Sequence, residues 1–586
     1  MDRERPAIPN ARWAWIGPVG LAALLAAALF VGLGSAVPLG THEGLLAETA
    51  RNMVLDRPVT LADGSQPSPW LIPNFDGVMR LRKTPLPYWL AATSAKVTGE
   101  VNEWAVRFPS ALAGAGTAVL VALVARRRYG RTSALLAAAA LVTMVEFLLV
   151  SRRAIADIGL TFWMTACLAA LWTAVERQGA ARGAWLALAG ALGGVAMLAK
   201  GPAPLVILPV PALVAGAVMI GRARRGTRSD LFWTLGGFAA AAVLFLAVTM
   251  PWYLYVWLRI PDAWAVWKAE SLDRSVGDFG HSEPIYFYLV RLPFFVLPWT
   301  VFVGYGMVLA VKCVRRMHED KNTRPASGAA NEAIRAAADE ATGAKAWLIF
   351  LGAWFVGPLA AFSVASGKQD HYIVPIFPAA ALYVALAIHH LLDGRAKAAR
   401  QVLIGHAAAF ALAGIGAAVY FSRAMPESRT AAVVLGAILV AGSLVASWAT
   451  LRRRFAASLA ALLVTAVAAF LWSGPALLAP LDRSTFEAGF ARKVKESVPP
   501  GATVYAVHGA NGTLVFYSER TIGLVNSEAE IRERMAAGCP FYLIALDKDA
   551  KEVQIPDGLR TVYHVDNRCE PPHSEALWFW PGATAP

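Results

Sequence analysis

The sequence predicts an all-α polytopic membrane protein with a small α/β domain at its C-terminal end. Of the 586 residues, 57% are hydrophobic and only 16% are charged, whereas a typical soluble chain is about 45–50% apolar and about 25% charged. The apolar residues occur in runs long enough to cross a bilayer as helices. After residue 474 these runs stop, and short segments typical of helices and strands follow. The composition therefore excludes an ordinary cytosolic enzyme and a disordered chain.

About thirteen membrane spans are expected, including one near residues 14–37 that is too long for a cleaved signal sequence. They are expected near 14–37, 104–125, 132–150, 158–175, 183–199, 203–220, 231–255, 291–312, 346–364, 372–392, 401–421, 430–449 and 455–473. Five basic loops then fall on one side, which the positive-inside rule makes cytoplasmic. Arg152 and Arg153 lie on the opposite side, which indicates either a functional role or an error in the count.

This topology predicts a multi-pass membrane protein in two parts. The first, residues 1–474, is a transmembrane domain whose long first loop, residues 38–103, lies outside the cytoplasm. The second, residues 475–586, is an extracytoplasmic α/β domain. We expect its helices near 486–497 and 527–537, and strands near 503–508, 514–518, 541–547, 561–566 and 577–580. Residues 480–586 carry 11 Lys and Arg against 14 Asp and Glu, so nucleic-acid binding is not expected.

The first loop contains residue types suited to chemistry at a membrane surface. His42, Glu43 and Glu48 follow the first span directly, where acid or base groups could reach a lipid headgroup. Arg82 and Lys83 precede a segment rich in proline and aromatic residues, and a fixed ammonium there could bind a lipid phosphate. Taken alone, the same residues also fit a solvated interfacial helix and a lysine that snorkels toward headgroups.

The run from residue 42 to 90 resembles the first outer loop of the aminoarabinose–lipid A transferase and protein O-mannosyltransferase superfamily of GT-C glycosyltransferases. The family pattern reads Asp-Glu-x-x-x-Ala-Glu, then Pro-x-x-(Asp/Asn)-Gly, then Glu-Lys-Pro-Pro-Leu-x-Tyr-Trp. The matching residues are Glu43, Ala47, Glu48, Gly77, Lys83, Pro85, Leu86, Tyr88 and Trp89. Further matches follow in order at 151–157, 198–202, 251–253, 281–299 and 362–375. The resemblance thus covers most of residues 38–378.

The resemblance implies an enzyme that moves a sugar from a polyprenyl-phosphate carrier to a lipid A-type, glycan or protein acceptor by inverting displacement. It requires no cofactor, and whether a divalent metal binds is left open. The residues themselves contain no phosphate-cradling GxxxxGK[ST] or GxGxxG element, which argues against a nucleotide-sugar donor.

The candidate site residues follow from these matches and from two departures. His42 stands where the family has its catalytic Asp, and Arg82 stands where the family has a Glu. We expect Asp157 to be the principal catalytic group, with His42 and Glu43 as the alternatives. The expected substrate-binding residues are Lys83, Arg82, Glu48, Lys200, Arg274, Lys368 and Tyr372. A phosphate acceptor would already be ionised, so the loss of the family's Asp is compatible with activity.

Three other readings remain open. A transporter or lipid flippase is one, although no internal repeat is visible and the ionisable residues gather in outer loops. A GT-C-like binding protein that has lost catalysis is the second, because His42 replaces the family's acid. A membrane scaffold that displays the C-terminal domain is the third.

Overall fold

A computed structural model describes residues 16–35, 37–270, 283–323, 332–392, 396–474, 476, 483–567 and 573–581. The part up to residue 474 is helical apart from one two-stranded hairpin. Its helices are α1 (Ile16–Phe30), α2 (Thr41–Val54), α3 (Leu86–Thr98), α4 (Glu103–Thr143), α5 (Val145–Ser151), α6 (Ala156–Glu176), α7 (Gly179–Lys200), α8 (Ala203–Ile207), α9 (Pro209–Ala223), α10 (Arg228–Arg259), α11 (Ala263–Lys268), α12 (Phe287–Phe295), α13 (Thr300–Thr323), α14 (Glu332–Val364), α15 (Phe377–Leu392), α16 (Ala396–Ala424), α17 (Arg429–Leu451) and α18 (Phe455–Ser473).

The expectation of a polytopic helical membrane protein is confirmed. Among the described residues, nine helices are long and apolar enough to cross a membrane, or ten if the bent pair α12 and α13 forms one span. Two shorter apolar helices lie at Gly20–Phe30 and Pro209–Ala223. The run α4 contains a break at Gly130, whose φ of 77° is a conformation that favours glycine. The count of thirteen itself stays a prediction.

The spans α7 and α10 pack unusually closely, because glycines line their contact. A Cβ at Gly190 would overlap the backbone of Ala241, and a Cβ at Gly194 would lie 2.8 Å from the carbonyl oxygen of Phe245. Small residues of this kind let helix backbones approach in lipid. This packing holds the C-terminal end of α7, where Lys200 lies, firmly against its neighbour.

The first loop is folded rather than extended. It contains α2, a short hairpin of β1 (Asn74–Phe75) and β2 (Val78–Met79), and α3. Four tryptophans fasten it, each donating its indole N–H to a backbone carbonyl. The pairs are Trp70 to Met53 (3.2 Å), Trp89 to Trp70 (2.6 Å), Trp252 to Leu71 (2.9 Å) and Trp267 to Leu81 (3.1 Å). The last two come from α10 and α11, so the loop is held against the ends of the spans.

Arg152 has a structural role that explains its place among outer residues. Its guanidinium donates to the carbonyl oxygens of Ala28 (2.8 Å), Leu29 (3.1 Å) and Val31 (2.7 Å) at the end of α1. The last carbonyls of a helix lack partners within the helix and carry partial negative charge. The arginine that departs from the positive-inside pattern therefore caps a helix.

The C-terminal part is an α/β domain with a five-stranded mixed sheet. It consists of α19 (Arg483–Ser497), β3 (Thr503–Val507), α20 (Gly512–Ser518), β4 (Ile522–Val525), α21 (Glu528–Ala536), β5 (Phe541–Leu546), α22 (Asp547–Val553), β6 (Arg560–Asn567) and β7 (His573–Trp580). The strand order is β4-β3-β5-β7-β6. β3 is parallel to β4 and β5, whereas β7 is antiparallel to both β5 and β6.

One strand expected from the sequence is wrong, because residues 514–518 form most of α20. The side chain of Asn511 accepts a hydrogen bond from the Leu514 N–H (2.8 Å) and starts the helix. Residues 512–518 are all buried, so packing decides their conformation rather than their strand propensity. The strand β4, at residues 522–525, was not expected.

The C-terminal domain docks directly on α2 of the first loop. Gly44 and Gly512 meet so closely that a Cβ on either would overlap the backbone of the other segment. The Tyr517 hydroxyl accepts from the Leu39 N–H (2.8 Å), and Asp76 accepts from the Ile522 N–H (3.0 Å). The domain therefore contacts the same helix that carries His42.

Candidate functional site

The centre of the site is Asp157, in the first turn of α6. A carboxylate is favoured there by the positive end of the helix dipole. The side chain is 5% exposed and forms an ion pair with Lys200, the last residue of α7. Its second oxygen lies 3.8 Å from Nε2 of His371. Two residues expected in the site, Asp157 and Lys200, are thus in direct contact.

The 3₁₀ turn Asp370–Ile376 completes this cluster from the other side. The Lys200 ammonium lies 4.4 Å from the ring centre of Tyr372, close enough for a cation–π contact. The rings of His371 and Tyr372 are perpendicular, with centres 5.1 Å apart. Tyr372, expected to bind substrate, therefore joins Asp157 and Lys200.

His42 lies at the exposed edge of the same cluster. It is the second residue of α2, and its charge acts on His371. Because α2 begins directly after the first span, the chain brings an exposed imidazole toward the buried pair. His42 therefore lies close to His371 at the edge of the cluster, whereas Glu43, its neighbour in sequence, is engaged by Arg107 and the Ala154 N–H.

Lys83 approaches from the loop between β2 and α3. Its ammonium lies 2.5 Å from Oε1 of Glu270, and its side chain is 48% exposed while that of Glu270 is 15% exposed. The charges of both residues also act on Lys200. The neighbouring Arg82 is exposed and forms no hydrogen bond or ion pair within the described ranges. Lys83 is therefore an exposed cation that lies close to the half-buried cation Lys200.

Glu43 is enclosed by partners. Its carboxylate accepts from Arg107 Nε (2.8 Å) and Nη2 (2.7 Å) and from the Ala154 N–H (2.7 Å). Burial by itself would raise the pKa of Glu43, but the Arg107 guanidinium outweighs it and holds that pKa below its usual value. Arg107 also donates to the carbonyl oxygens of Val37 and Pro38. Glu43 thus joins the first loop to α4.

Glu48 belongs to a different contact, one that faces the C-terminal domain. It pairs with Arg51 at 2.5 Å, and Arg51 in turn donates to the Phe516 carbonyl (3.1 Å) and covers the Phe516 ring. Burial raises the pKa of Glu48, the charges of Arg51 and Arg57 oppose that effect, and Asp76 adds to it. This arrangement ties α2 to the domain above it.

Lys368 is buried and donates to the Glu283 carbonyl oxygen at 2.6 Å. It therefore links two connections between helices that are far apart in sequence. Arg274, expected to bind substrate, and His281, one of the family matches, lie outside the described residues.

Several residues of the site were missed by the reasoning from sequence. His371 and Glu270 are in it, and so is Glu146 on α5, on which the charges of Asp370 and Asp157 act. A signal existed for Glu146, since a carboxylate within an apolar run needs a partner or a function. No such signal marked Glu270.

Metal ligands are sparse around this cluster. In the part of the chain that is described, no three His, Cys, Asp or Glu side chains converge around Asp157.

Known proteins with similar sequences are glycosyltransferases. The family described as dolichyl-phosphate-mannose-protein mannosyltransferase matches residues 82–255. An "undecaprenyl phosphate-alpha-4-amino-4-deoxy-L-arabinose arabinosyl transferase" of Pseudomonas aeruginosa (strain LESB58) is 31% identical over 64% of this chain and 60% of its own length. A relative with the same name, numbered 1, from Pseudomonas fluorescens (strain Pf0-1) is 29% identical over 56% of this chain. The chain spans only about half of that relative's length, 51%.

A solved structure resembles nearly the whole chain. It is the crystal structure of ArnT from Cupriavidus metallidurans bound to undecaprenyl phosphate, with a TM-score of 0.73 and 21% identity. The match covers 97% of this chain and 98% of that one, so the fold extends through the C-terminal domain. The resemblance drawn from the sequence is confirmed: this chain is similar to aminoarabinose transferases in sequence and in fold, and residues 82–255 match the mannosyltransferase family.

Proposed function

We propose that this protein is a membrane glycosyltransferase that moves a sugar from a polyprenyl-phosphate carrier to a lipid A-type acceptor. The observation that carries the proposal is the pair of cations around Asp157. Lys200 is half-buried and paired with Asp157, and the exposed Lys83 lies close enough for its charge to act on Lys200. A displaced lipid phosphate needs its developing charge stabilised, and fixed ammonium groups in a partly buried site supply that stabilisation. The names of the curated relatives, which include undecaprenyl phosphate, support the carrier class.

The reaction is proposed to occur on the outer face of a bacterial inner membrane. The basic loops of the sequence support this orientation. The first loop and the C-terminal domain contact each other, so they share one side. We place the boundary between the two parts near residue 474.

Lys83 is proposed to bind the carrier phosphate by exchanging partners. In the free protein its ammonium pairs with the Glu270 carboxylate. The phosphate gains a second negative charge as the sugar leaves it, and it then accepts stronger charge-assisted hydrogen bonds than a carboxylate does. The carrier phosphate would therefore displace Glu270, and Lys200 would add a second positive charge.

Asp157 is proposed to orient the cluster rather than to remove a proton by itself. Its carboxylate is paired with the Lys200 ammonium, so the oxygen that faces Lys200 is already engaged. An acceptor phosphate is already ionised and needs no strong base. Its oxygen would form the bond to the anomeric carbon while the bond from that carbon to the carrier phosphate oxygen breaks, with inversion. His42 and His371 remain available to accept a proton from a hydroxyl acceptor.

Turnover by the purified full chain tests this proposal. The substrates are a synthetic polyprenyl-phosphate sugar and a lipid A-type acceptor, and the variants are Lys83→Ala, Lys200→Ala and Lys96→Ala. Lys96 is the matched control, since it lies on α3 of the same loop with its ammonium 4.9 Å from the Trp70 ring centre. Loss of turnover in the first two variants alone supports the proposal. Normal turnover in Lys83→Ala and Lys200→Ala removes these lysines from the site.

A second function is favoured by one observation, namely that His42 replaces the family's acid. The chain would then bind the polyprenyl-phosphate sugar without transferring it. Saturable donor binding without product from the wild type, across several acceptors, would favour this second function.

A further inference from the structure

Three side chains of types that bind metals converge at one edge of the C-terminal sheet. His508 follows β3 directly, while Asp549 and Glu552 lie on α22, which follows β5. One ligand atom of each lies within 4.8 Å of those of the other two. No hydrogen bond or ion pair ties these three side chains to another group in the described segments. No structural contact of these three side chains within the described part of the chain explains why they lie so close together.

The topology of the sheet points to the same place independently of these side chains. β3 and β5 are adjacent parallel strands at the centre of the sheet. The connection after β3 leads to β4 on one side, and the connection after β5 leads to the strands on the other side. A crevice forms where connections diverge in this way, and ligands of open α/β sheets bind there, at the carboxyl ends of the strands. His508 and α22 lie at those ends.

We propose that His508, Asp549 and Glu552 bind one divalent transition-metal ion, with a preference for Zn²⁺. Imidazole nitrogen and carboxylate oxygen are both ordinary zinc ligands. Ca²⁺ takes six to eight oxygen ligands and Mg²⁺ keeps several waters, so a compact set that includes an imidazole suits neither ion as well.

Three protein ligands leave a tetrahedral ion with one open position. Because His508 and Glu552 are exposed, a water molecule or an oxyanion from solution can reach that position. The site is built from residues of the C-terminal domain alone. It therefore stands whether or not the cluster around Asp157 transfers a sugar.

Zinc titration of the purified full chain tests the proposal. After removal of metals with EDTA, calorimetry with Zn²⁺ should give one saturable site per chain. His508→Ala and Glu552→Gln should each weaken zinc binding by at least about tenfold, because even the loss of a residue that only supports a ligand costs that much. Glu533→Gln is the matched control, an exposed carboxylate on α21 of the same domain, and should bind as the wild type does.

Co²⁺ provides a second readout, because its visible absorption reports the number and type of its ligands. The wild type should show a spectrum of low coordination number that is lost in His508→Ala. Circular dichroism should confirm that each variant keeps its fold. Absence of a saturable zinc site in the wild type, or zinc affinity equal to that of the wild type in both His508→Ala and Glu552→Gln, would overturn the proposal. Tighter binding of Mn²⁺ than of Zn²⁺ would overturn the assignment to zinc.

Discussion

Two ion pairs with a buried carboxylate, Glu43–Arg107 and Asp157–Lys200, lie at the base of the first loop. They differ in how many other hydrogen-bond partners surround their charged groups. Glu43 and Arg107 are enclosed by backbone partners on every side. Asp157 lies beside the His371 imidazole, and Lys200 lies over the Tyr372 ring. The exposed Lys83 is nearby. Both acidic residues belong to family motifs, and the sequence makes both of them candidate catalytic groups, with Asp157 preferred. The difference indicates that Glu43 and Arg107 stabilise the fold, whereas Asp157 and Lys200 can change partners when a ligand binds.

Removing Glu43 should produce the largest effect on stability. Glu43→Ala leaves the Arg107 guanidinium buried without its counter-ion, and breaking a buried pair in this way typically costs about 3–5 kcal/mol. The free energy of unfolding, measured for the purified protein in detergent, should fall by about that amount. Glu103→Ala, which removes a more exposed carboxylate of α4, is the control. An unfolding free energy within about 1 kcal/mol of the wild type in Glu43→Ala would contradict the structural role.

The stability conferred by Glu43 should also depend on pH with a definite sign. Its pKa in the folded protein lies below the ordinary value of 4.5, so its contribution is present above that value and is lost as the pH falls through the folded pKa. Glu43→Gln should flatten the decline in unfolding free energy between about pH 5 and pH 3 relative to the wild type. An unchanged pH profile would show that another group controls this decline.

Substitution of Asp157 should reduce activity and should cost less stability than Glu43→Ala, because the Lys200 side chain is 21% exposed and water can solvate the ammonium that is left unpaired. Asp157→Asn retains the shape of the side chain but removes the charge that holds Lys200. Turnover should fall about 10²–10³-fold, which is the usual cost of losing a preorganised electrostatic group. The comparison between the two pairs fails if Asp157→Asn unfolds as readily as Glu43→Ala while the remaining folded protein keeps full turnover.

Disturbing the contact between Gly44 and Gly512 should have a smaller effect on turnover and stability. Gly44→Ala places a methyl group into the Gly512 backbone, and overpacking of this kind typically costs about 1–3 kcal/mol. Because the contact lies two residues from His42, we expect turnover to fall together with thermal stability. Gly40→Ala is the matched control, since a Cβ at Gly40 meets nothing within 4 Å. Equal turnover and stability in the two variants would show that domain docking does not position α2.

The smallest effect is expected from Glu270. Its partner Lys83 is half exposed, and exposed ion pairs contribute little. Glu270→Gln should therefore lower the KM for the lipid donor a few-fold, because the carrier phosphate no longer competes with a carboxylate for Lys83. A higher KM would show that Glu270 helps to bind the donor instead of occupying its place.

The sequence predicted the membrane class because long apolar runs have few alternative structures. It also brought Asp157, Lys200 and Tyr372 to one site, since the family motifs preserve their order. It could not predict that residues 514–518 form a helix, because burial against other elements overrides their strand propensity. Nor could it predict that Arg107 encloses Glu43 or that His371 lies beside Asp157, since these partners come from distant parts of the chain.

Binding of a polyprenyl phosphate to the purified full chain tests the central claim most directly. The affinity should be measured by calorimetry for the wild type, Lys83→Ala, Lys200→Ala and the control Lys96→Ala. We expect Lys83→Ala and Lys200→Ala each to weaken binding by about tenfold or more, the equivalent of about 1.4 kcal/mol. The control Lys96→Ala should bind as the wild type does. Wild-type affinity in both Lys83→Ala and Lys200→Ala would contradict the central claim.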